Sequence, residues 1–278
     1  MRTIEICNQK GGSGKTTTAA NLAGALCEAG AKVLAVDMDS QSQLAAALGA
    51  QDRLAYDMHG GLESLTIADL LNPGRGGAPA INQVVLATDF PGLDLLPGSD
   101  ALEDVRRALE SNPAVGLRAL KRILDPERLA ESGLEYDWVI IDTAPKLDIL
   151  LDNALVAADY ALAVLAPEMQ QAEPMSRFIG RVSAIQENVS HELTLLGVLF
   201  NKANYSWVAT SNIPALLTDM GLPVLETIIP MYSRLANGYG SGPVVLTAPN
   251  SREAGVIRTA TQEILGRVGV LSGEQVLA

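Results

Sequence analysis

Residues 10–17 read Lys10-Gly11-Gly12-Ser13-Gly14-Lys15-Thr16-Thr17. The glycines let a backbone turn tightly and come close to a polyanion. Successive amide N–H groups pointing inward can then cradle phosphate oxygens. A helix opening at Lys15 would add the positive potential of its N-terminus. In that setting Lys15 reaches the β- and γ-phosphates of a nucleotide, and Thr16 offers its hydroxyl to Mg²⁺. Gly11, Gly12, Ser13, Gly14 and Thr17 complete the cradle. The competing reading is a Gly-rich turn with an incidental lysine; a predicted strand before the loop and a predicted helix after it favour the phosphate cradle.

Three further segments carry polar groups at the ends of apolar runs. Val36-Asp37-Met38-Asp39-Ser40-Gln41 places two carboxylates at the C-terminal end of a predicted strand. That is the edge where ligand crevices open in parallel sheets, and i, i+2 spacing in an extended segment aims both acids to one side. The alternative is a pair of capping aspartates ahead of a helix over 41–48. Trp138-Val139-Ile140-Ile141 runs into Asp142-Thr143-Ala144-Pro145, four apolar residues and then an acid. Such a strand buries itself and presents Asp142 to a magnesium shell through water. Gly197-Val198-Leu199-Phe200 ends in Asn201-Lys202. A side-chain amide there can donate to and accept from adenine, or simply form a turn.

These groups need elements to position them. Strands are predicted at 3–7, 32–36, 93–96, 138–141, 160–165, 195–200 and 224–229, the last closed by Pro230. Helices are predicted at 15–29, stopped by Gly30, and at 67–71, 173–188, 209–220 and 253–268. Helical spacing also runs through 99–131, with a break near Asn112-Pro113. Residues 49–63 read as a loop and 74–79 as a turn. Short apolar strands alternating with helices predict an α/β fold, a doubly wound and mostly parallel sheet flanked by helices. No repeat or low-complexity linker divides the chain, so 1–278 reads as a single domain with its last ten residues loosely held.

Composition narrows the function classes. The chain is 48% hydrophobic and 19% charged, enough to bury a sizeable core and inconsistent with disorder. A net charge of −12 excludes a generally basic surface. It leaves room for a local basic patch, because repulsion from a polyanion is screened beyond about 10 Å. Cys7 and Cys27 read as small buried hydrophobes in a reducing compartment. No leader-like segment opens the sequence, and no apolar run reaches about 18 residues. The expectation is a cytoplasmic protein without a membrane span.

The Lys-Gly-Gly-x-Gly-Lys-Thr-Thr pattern, with Lys10 ahead of the glycines, resembles the deviant Walker A box of the ParA/MinD ATPases. Asp37-Met38-Asp39-Ser40-Gln41 resembles the Asp-x-Asp-x-Gln box of the ParA branch. Ala154 to Asp159, Pro167-Glu168 and Ile229-Pro230-Met231-Tyr232-Ser233-Arg234-Leu235 resemble further segments of that branch. The similarity spans most of 1–260, and the short form without an operator-binding region is implied.

The resemblance implies a slow, partner-stimulated ATPase using ATP and Mg²⁺. Lys10 would cross a two-fold interface to the partner's nucleotide, Asp39 would position the attacking water, and Asp37 would support the metal shell. Asn201 would read adenine, with the loop from Pro230 on the other side of the base. It further implies an ATP-dependent homodimer, non-specific DNA as a matrix with nucleoid association, and a ParB-type partner in chromosome or plasmid segregation; positioning of a protein cargo is the alternative.

Departures from the pattern fall at Lys146 after Pro145, at Met231 in place of a basic residue, and at Ala236-Asn237-Gly238. Arg234, Arg252 and Arg258 are the candidate DNA contacts. Arg106, Arg107, Arg118, Lys121, Arg122 and Arg128 form the densest basic stretch, which reads equally as a solvated face. Cysteines confined to the first 27 residues argue against an iron–sulfur reductase. Lys10 and the acidic box argue against a metabolic ligase, and the weakly basic C-terminus argues against a MinD-type membrane anchor.

Overall fold

The computed structural model describes residues 1–8, 10–55, 62–72, 77–112, 116–166, 172–203, 208, 213–237 and 240–269. Eight strands form one sheet in the order β3-β4-β2-β5-β1-β6-β7-β8. They are β1 (Arg2–Cys7), β2 (Val33–Met38), β3 (Leu86–Ala87), β4 (Leu93–Leu96), β5 (Trp138–Thr143), β6 (Tyr160–Leu165), β7 (Thr194–Asn201) and β8 (Val224–Ile229). All pairings are parallel except β3 with β4. The doubly wound, mostly parallel sheet expected from the sequence is therefore present. The chain crosses from β1 to β2 on one side and later builds β6, β7 and β8 on the other, so β1 lies at the topological switch point.

Side-chain alternation divides each central strand between two apolar layers. Ile4, Ile6, Val33, Ala35, Trp138 and Ile140 face one layer. Leu34, Val36, Met38, Val139 and Ile141 face the other. A strand buried on both faces reads as a continuous apolar run, which is why β2 and β5 were legible. Among the polar residues of these strands, Asp37 and Asp142 follow the first face and Glu5 and Thr143 the opposite one.

The first layer is covered by α1 (Lys15–Glu28), α11 (Val244–Thr247) and α12 (Arg252–Val268). Ten residues of α1 are buried, so it is a central helix without a solvent stripe. A Cβ on Gly24 would lie 2.3 Å from Pro243 Cβ, and this lets α11 close on α1. The other layer is covered by α3 (Ile67–Leu71), α4 (Leu102–Ser111), α5 (Ala119–Ile123), α6 (Pro126–Glu131) and α7 (Ile149–Ala157), with α8 (Ala172–Asn188) and α9 (Ile213–Asp219) toward β6–β8. Short helices α2 (Leu44–Ala47) and α10 (Ser233–Asn237) flank the site described below.

Several expectations need adjustment. The loop expected over 49–63 contains a 3-10 turn at Gln51–Arg53; α7 had not been expected as a helix, and α2 is a shorter form of the helix over 41–48 named as the alternative reading of the two aspartates. Strands β2 and β5 run two residues further than the apolar pattern, because Asp37 and Asp142 continue the ladder as mutual partners. Cys7 is buried, whereas Cys27 is only partly so, and both are free. The expectations for Gly74–Gly76, Pro113, Pro167-Glu168, Gly238 and the chain end after Gly269 lie outside the described residues.

Candidate nucleotide site

The loop between β1 and α1 has the required context. Gly12 and Gly14 adopt φ values of 78° and 89°, in the left-handed region that favours glycine. Gly14 caps α1 without a side-chain partner, leaving the first helical amides for a ligand. The loop borders a cavity of about 350 Å³. Gly11, Gly12, Gly14, Lys15, Thr16 and Thr17 form one wall; Asp39, Gln41, Gln43 and Pro145 form the second; Asn201, Lys202, Pro230, Met231, Tyr232 and Leu235 form the third. The segments expected to hold phosphate, to carry the acids and to hold the base, distant in sequence, thus meet around one space.

The acidic floor lies beneath this wall. Asp37 and Asp142 are register partners on β2 and β5, and they are 0% and 1% exposed. Their environments differ. Asp37 Oδ1 accepts from Asp39 N at 3.0 Å, and its Oδ2 accepts from Leu44 N at 3.0 Å, so this acid shapes the loop that carries Asp39 into α2. Neither oxygen of Asp142 has a hydrogen-bond partner in normal geometry. Burial pushes the Asp142 carboxyl up to about 7, opposed by Thr16 and the Lys15 ammonium. Burial, with Asp142 beside it, also drives Asp37 well above the carboxylate range. Lys15 is lowered by its own burial.

Two buried acid oxygens without a well-formed donor, approached by the Thr16 hydroxyl, suit a cation. Thr16 and Asp142 are the residues that fit Mg²⁺, and Asp37 would act through the loop it caps. Ser13 Oγ is likewise buried without a partner.

Asp39 is partly exposed on the cavity wall, and its Oδ1 accepts from Gln41 N at 2.9 Å. Lys10 sits at the mouth of the loop, where its backbone N–H donates to Asn8 Oδ1. It is partly buried and stands outside the set of residues that wall the cavity. Asn201 is buried and donates from Nδ2 to Gly14 O at 3.3 Å and to Thr18 Oγ1 at 3.2 Å.

The candidate DNA contacts do not gather at the cavity. Arg234 is exposed on a neighbouring concavity with Ser233, Ser241 and Thr247. Arg252 is exposed at the start of α12. Arg258 makes a bidentate pair with Glu28, at 2.7 and 2.6 Å. In the dense basic stretch, Arg106 pairs with Glu103 and Glu110, and Arg107 pairs with Asp104.

Sequence reasoning missed Glu5, Glu103 and Lys202. Glu103 on α4 accepts from Lys146 Nζ at 2.6 Å and from Ser40 Oγ at 3.1 Å, which joins the two loops that follow β2 and β5. Lys146, the departure after Pro145, thus has a partner on α4, and with Arg106 it lowers the Glu103 carboxyl to about 2.

Glu5 is fully buried in β1. It accepts from Thr143 Oγ1 at 2.9 Å, and its second oxygen has no partner. A lone acid inside an otherwise buried strand was the signal available. Burial pushes Glu5 up to about 7. An acid raised on folding stabilises below its unfolded pKa near 4.5, and that stability is lost as pH rises toward 7. Glu5→Gln should therefore melt close to the parent at pH 4.5 and above it at pH 8. Equal melting temperatures at pH 8 would show that ionising Glu5 costs the fold nothing.

The comparisons with known proteins agree with this geometry. The family described as an AAA domain matches residues 1–195. A ParA family protein of Chlamydia muridarum is 32% identical over 95% of this chain and 98% of its own length. This chain belongs to the ParA/MinD family of P-loop ATPases. Another relative in the ParA branch is the chromosome-partitioning ATPase Soj of Thermus thermophilus, 30% identical over 96% of this chain and 97% of its own. A solved member of the fold, titled cobyrinic acid a,c-diamide synthase from Mycobacterium smegmatis with bound ATP analog and magnesium, superposes with a TM-score of 0.74. It is 28% identical, with 97% of this chain and 96% of that one covered. For this ParA-like chain, no helix among the described residues is long and apolar enough to cross a membrane.

Proposed function

We propose that this ParA-like ATPase hydrolyses ATP slowly, closes into a homodimer on it, and binds non-specific DNA in that state. It would segregate chromosome or plasmid DNA with a ParB-type partner that stimulates hydrolysis. The observation that carries the reading is the pairing of a complete phosphate and acid site with Lys10 standing outside its own cavity wall. By the family resemblance a lysine ahead of the glycines would reach a facing subunit's nucleotide, and the position of Lys10 outside the wall supports that reading. Two such sites face to face would make a closed two-fold assembly.

Within one subunit the loop amides and Lys15 would hold the β- and γ-phosphates, and Thr16 and Asp142 would hold Mg²⁺, which would supply positive charge to the phosphate oxygens. Asp39 orients a water, whose oxygen bonds to the γ-phosphorus as the bond from that phosphorus to the β–γ bridging oxygen breaks. Asn201 and Pro230 flank adenine. Opening of the Asp39 and Pro145 loops after phosphate loss would release the dimer.

Arg234 and Arg252 are the candidate phosphate contacts on DNA; Arg258 would have to exchange Glu28 for a phosphate. The Soj relatives support the partition reading, and the acidic box favours it over a ligase. Arg267 donates to Leu196 O and Val224 O, so it is not a basic residue turned toward a membrane.

The deciding experiment uses Asp39→Ala with random-sequence duplex DNA, with ATP or ADP, over a salt series. We expect ATP-dependent binding that weakens steeply with salt. An ATP-bound dimer with no affinity for DNA at low salt would remove DNA as the matrix and leave positioning of a protein cargo.

A further inference from the structure

The strand end that faces the base side of the cavity also grips the phosphate loop. Lys202 follows Asn201 at the end of β7 and adopts φ 56°, a left-handed conformation unusual for a side chain of this size. Its backbone N–H donates to Asn201 Oδ1 at 2.8 Å. Its ammonium crosses to the phosphate loop and donates to the Gly12 carbonyl at 2.7 Å. Asn201 meanwhile takes the Gly14 carbonyl. Two consecutive residues of one strand end therefore hold two carbonyls of the same loop.

In a phosphate cradle the amides must point toward the ligand, which turns carbonyls outward and leaves them needing donors. A charged donor on the Gly12 carbonyl does more than satisfy it. It fixes the plane of the Gly12–Ser13 peptide and polarises it, so the Ser13 N–H becomes a stronger donor toward the phosphate. A loop already held in that arrangement binds without a further ordering cost.

The geometry points to Lys202 as a positioning residue for polyphosphate, acting through the Gly12 peptide. This rests on the reading of the cavity as a nucleotide site. Because the hold on the loop exists before the nucleotide arrives, it should favour ground state and transition state alike. The expected kinetic signature is a raised KM for ATP with kcat nearly unchanged.

The test compares the full-length parent with Lys202→Gly, Lys202→Ala and Lys202→Arg. Glycine relieves the left-handed backbone while removing the ammonium, so Lys202→Gly is the variant whose folding is safest, checked by its urea midpoint. Calorimetry would use ADP and inorganic tripolyphosphate, and hydrogen exchange would follow peptides covering Gly11–Gly14 without ligand. We expect Lys202→Gly and Lys202→Ala to bind both ligands about tenfold more weakly, with faster exchange in the loop. Lys202→Arg should recover most of the affinity, since its guanidinium reaches the same carbonyl.

Parent-like tripolyphosphate affinity in Lys202→Gly would overturn the assignment. So would weakened binding with unchanged loop exchange, which would mean that the ammonium touches phosphate directly. A parent that binds neither ADP nor tripolyphosphate would instead sink the nucleotide reading, whatever the variants do.

Discussion

Asp142→Asn is expected to lower magnesium-dependent ATP hydrolysis about 10- to 100-fold, the usual cost of removing a group that acts on a metal through water, and to raise the melting temperature of the ligand-free protein. The two effects have one cause. Asp142 is 1% exposed, neither oxygen has a hydrogen-bond partner in normal geometry, and Asp37 lies beside it on the next strand. A cation would balance that charge; without one, the carboxylate is a buried acid held up to about 7 by its surroundings. An amide of the same shape carries no charge to desolvate, so we expect about 1–3 kcal/mol of added stability. The gain should be larger at pH 8, where the parent's carboxylate is ionised and its stability contribution lost, than at pH 5. Calorimetric scans at both pH values and a phosphate-release assay would check this. A lower melting temperature would mean that Asp142 makes a stabilising contact in the free protein. Undiminished hydrolysis would remove it from the metal site.

Gly197→Ala should destabilise the fold by about 3–5 kcal/mol, because two penalties combine there. Gly197 sits at φ 129° in β7, and a Cβ would lie 2.1 Å from the Pro223 carbonyl oxygen. That oxygen is backbone and is already bonded to Val198 N at 2.8 Å, so it cannot swing aside. The position is a bulge. Ala161 pairs with Leu195 and Leu162 pairs with Gly197, which leaves Leu196 as the extra residue. Its carbonyl is taken by Arg267 from α12, whose Nη1 would also lie 2.6 Å from the added methyl. Urea unfolding measures the effect, and a loss below about 1 kcal/mol would show that the bulge can relax. Asn201 and Lys202 end the same strand, so a shifted β7 should weaken nucleotide binding as well.

The sequence by itself determined the sheet and the phosphate loop. Tyr160–Leu165 was legible to the residue, because a strand buried on both faces must be continuously apolar and end where polar or turn residues begin; Val224–Ile229, an edge strand with Glu226 exposed, was legible from its β-branched residues and the Pro230 that closes it. Lys10 to Thr17 were legible because a loop of consecutive inward amides tolerates few residue types. Both are local requirements, written in adjacent positions. Short helices such as α10 and α11 were not legible, since four or five residues do not show a period.

Only the tertiary structure decided what each polar residue does. Asp37 and Asp142 look alike as acids after apolar runs. Neighbouring amides take both oxygens of the first, whereas neither oxygen of the second has a partner in normal geometry. Arg258 and Arg267 share one helix, yet one pairs with Glu28 and the other holds sheet carbonyls. Lys202 meets Gly12 across 190 positions of chain. Charge and hydrogen-bond partners depend on which backbone groups a fold leaves unpaired, and parallel strands joined by long crossovers bring those groups together from distant parts of the sequence.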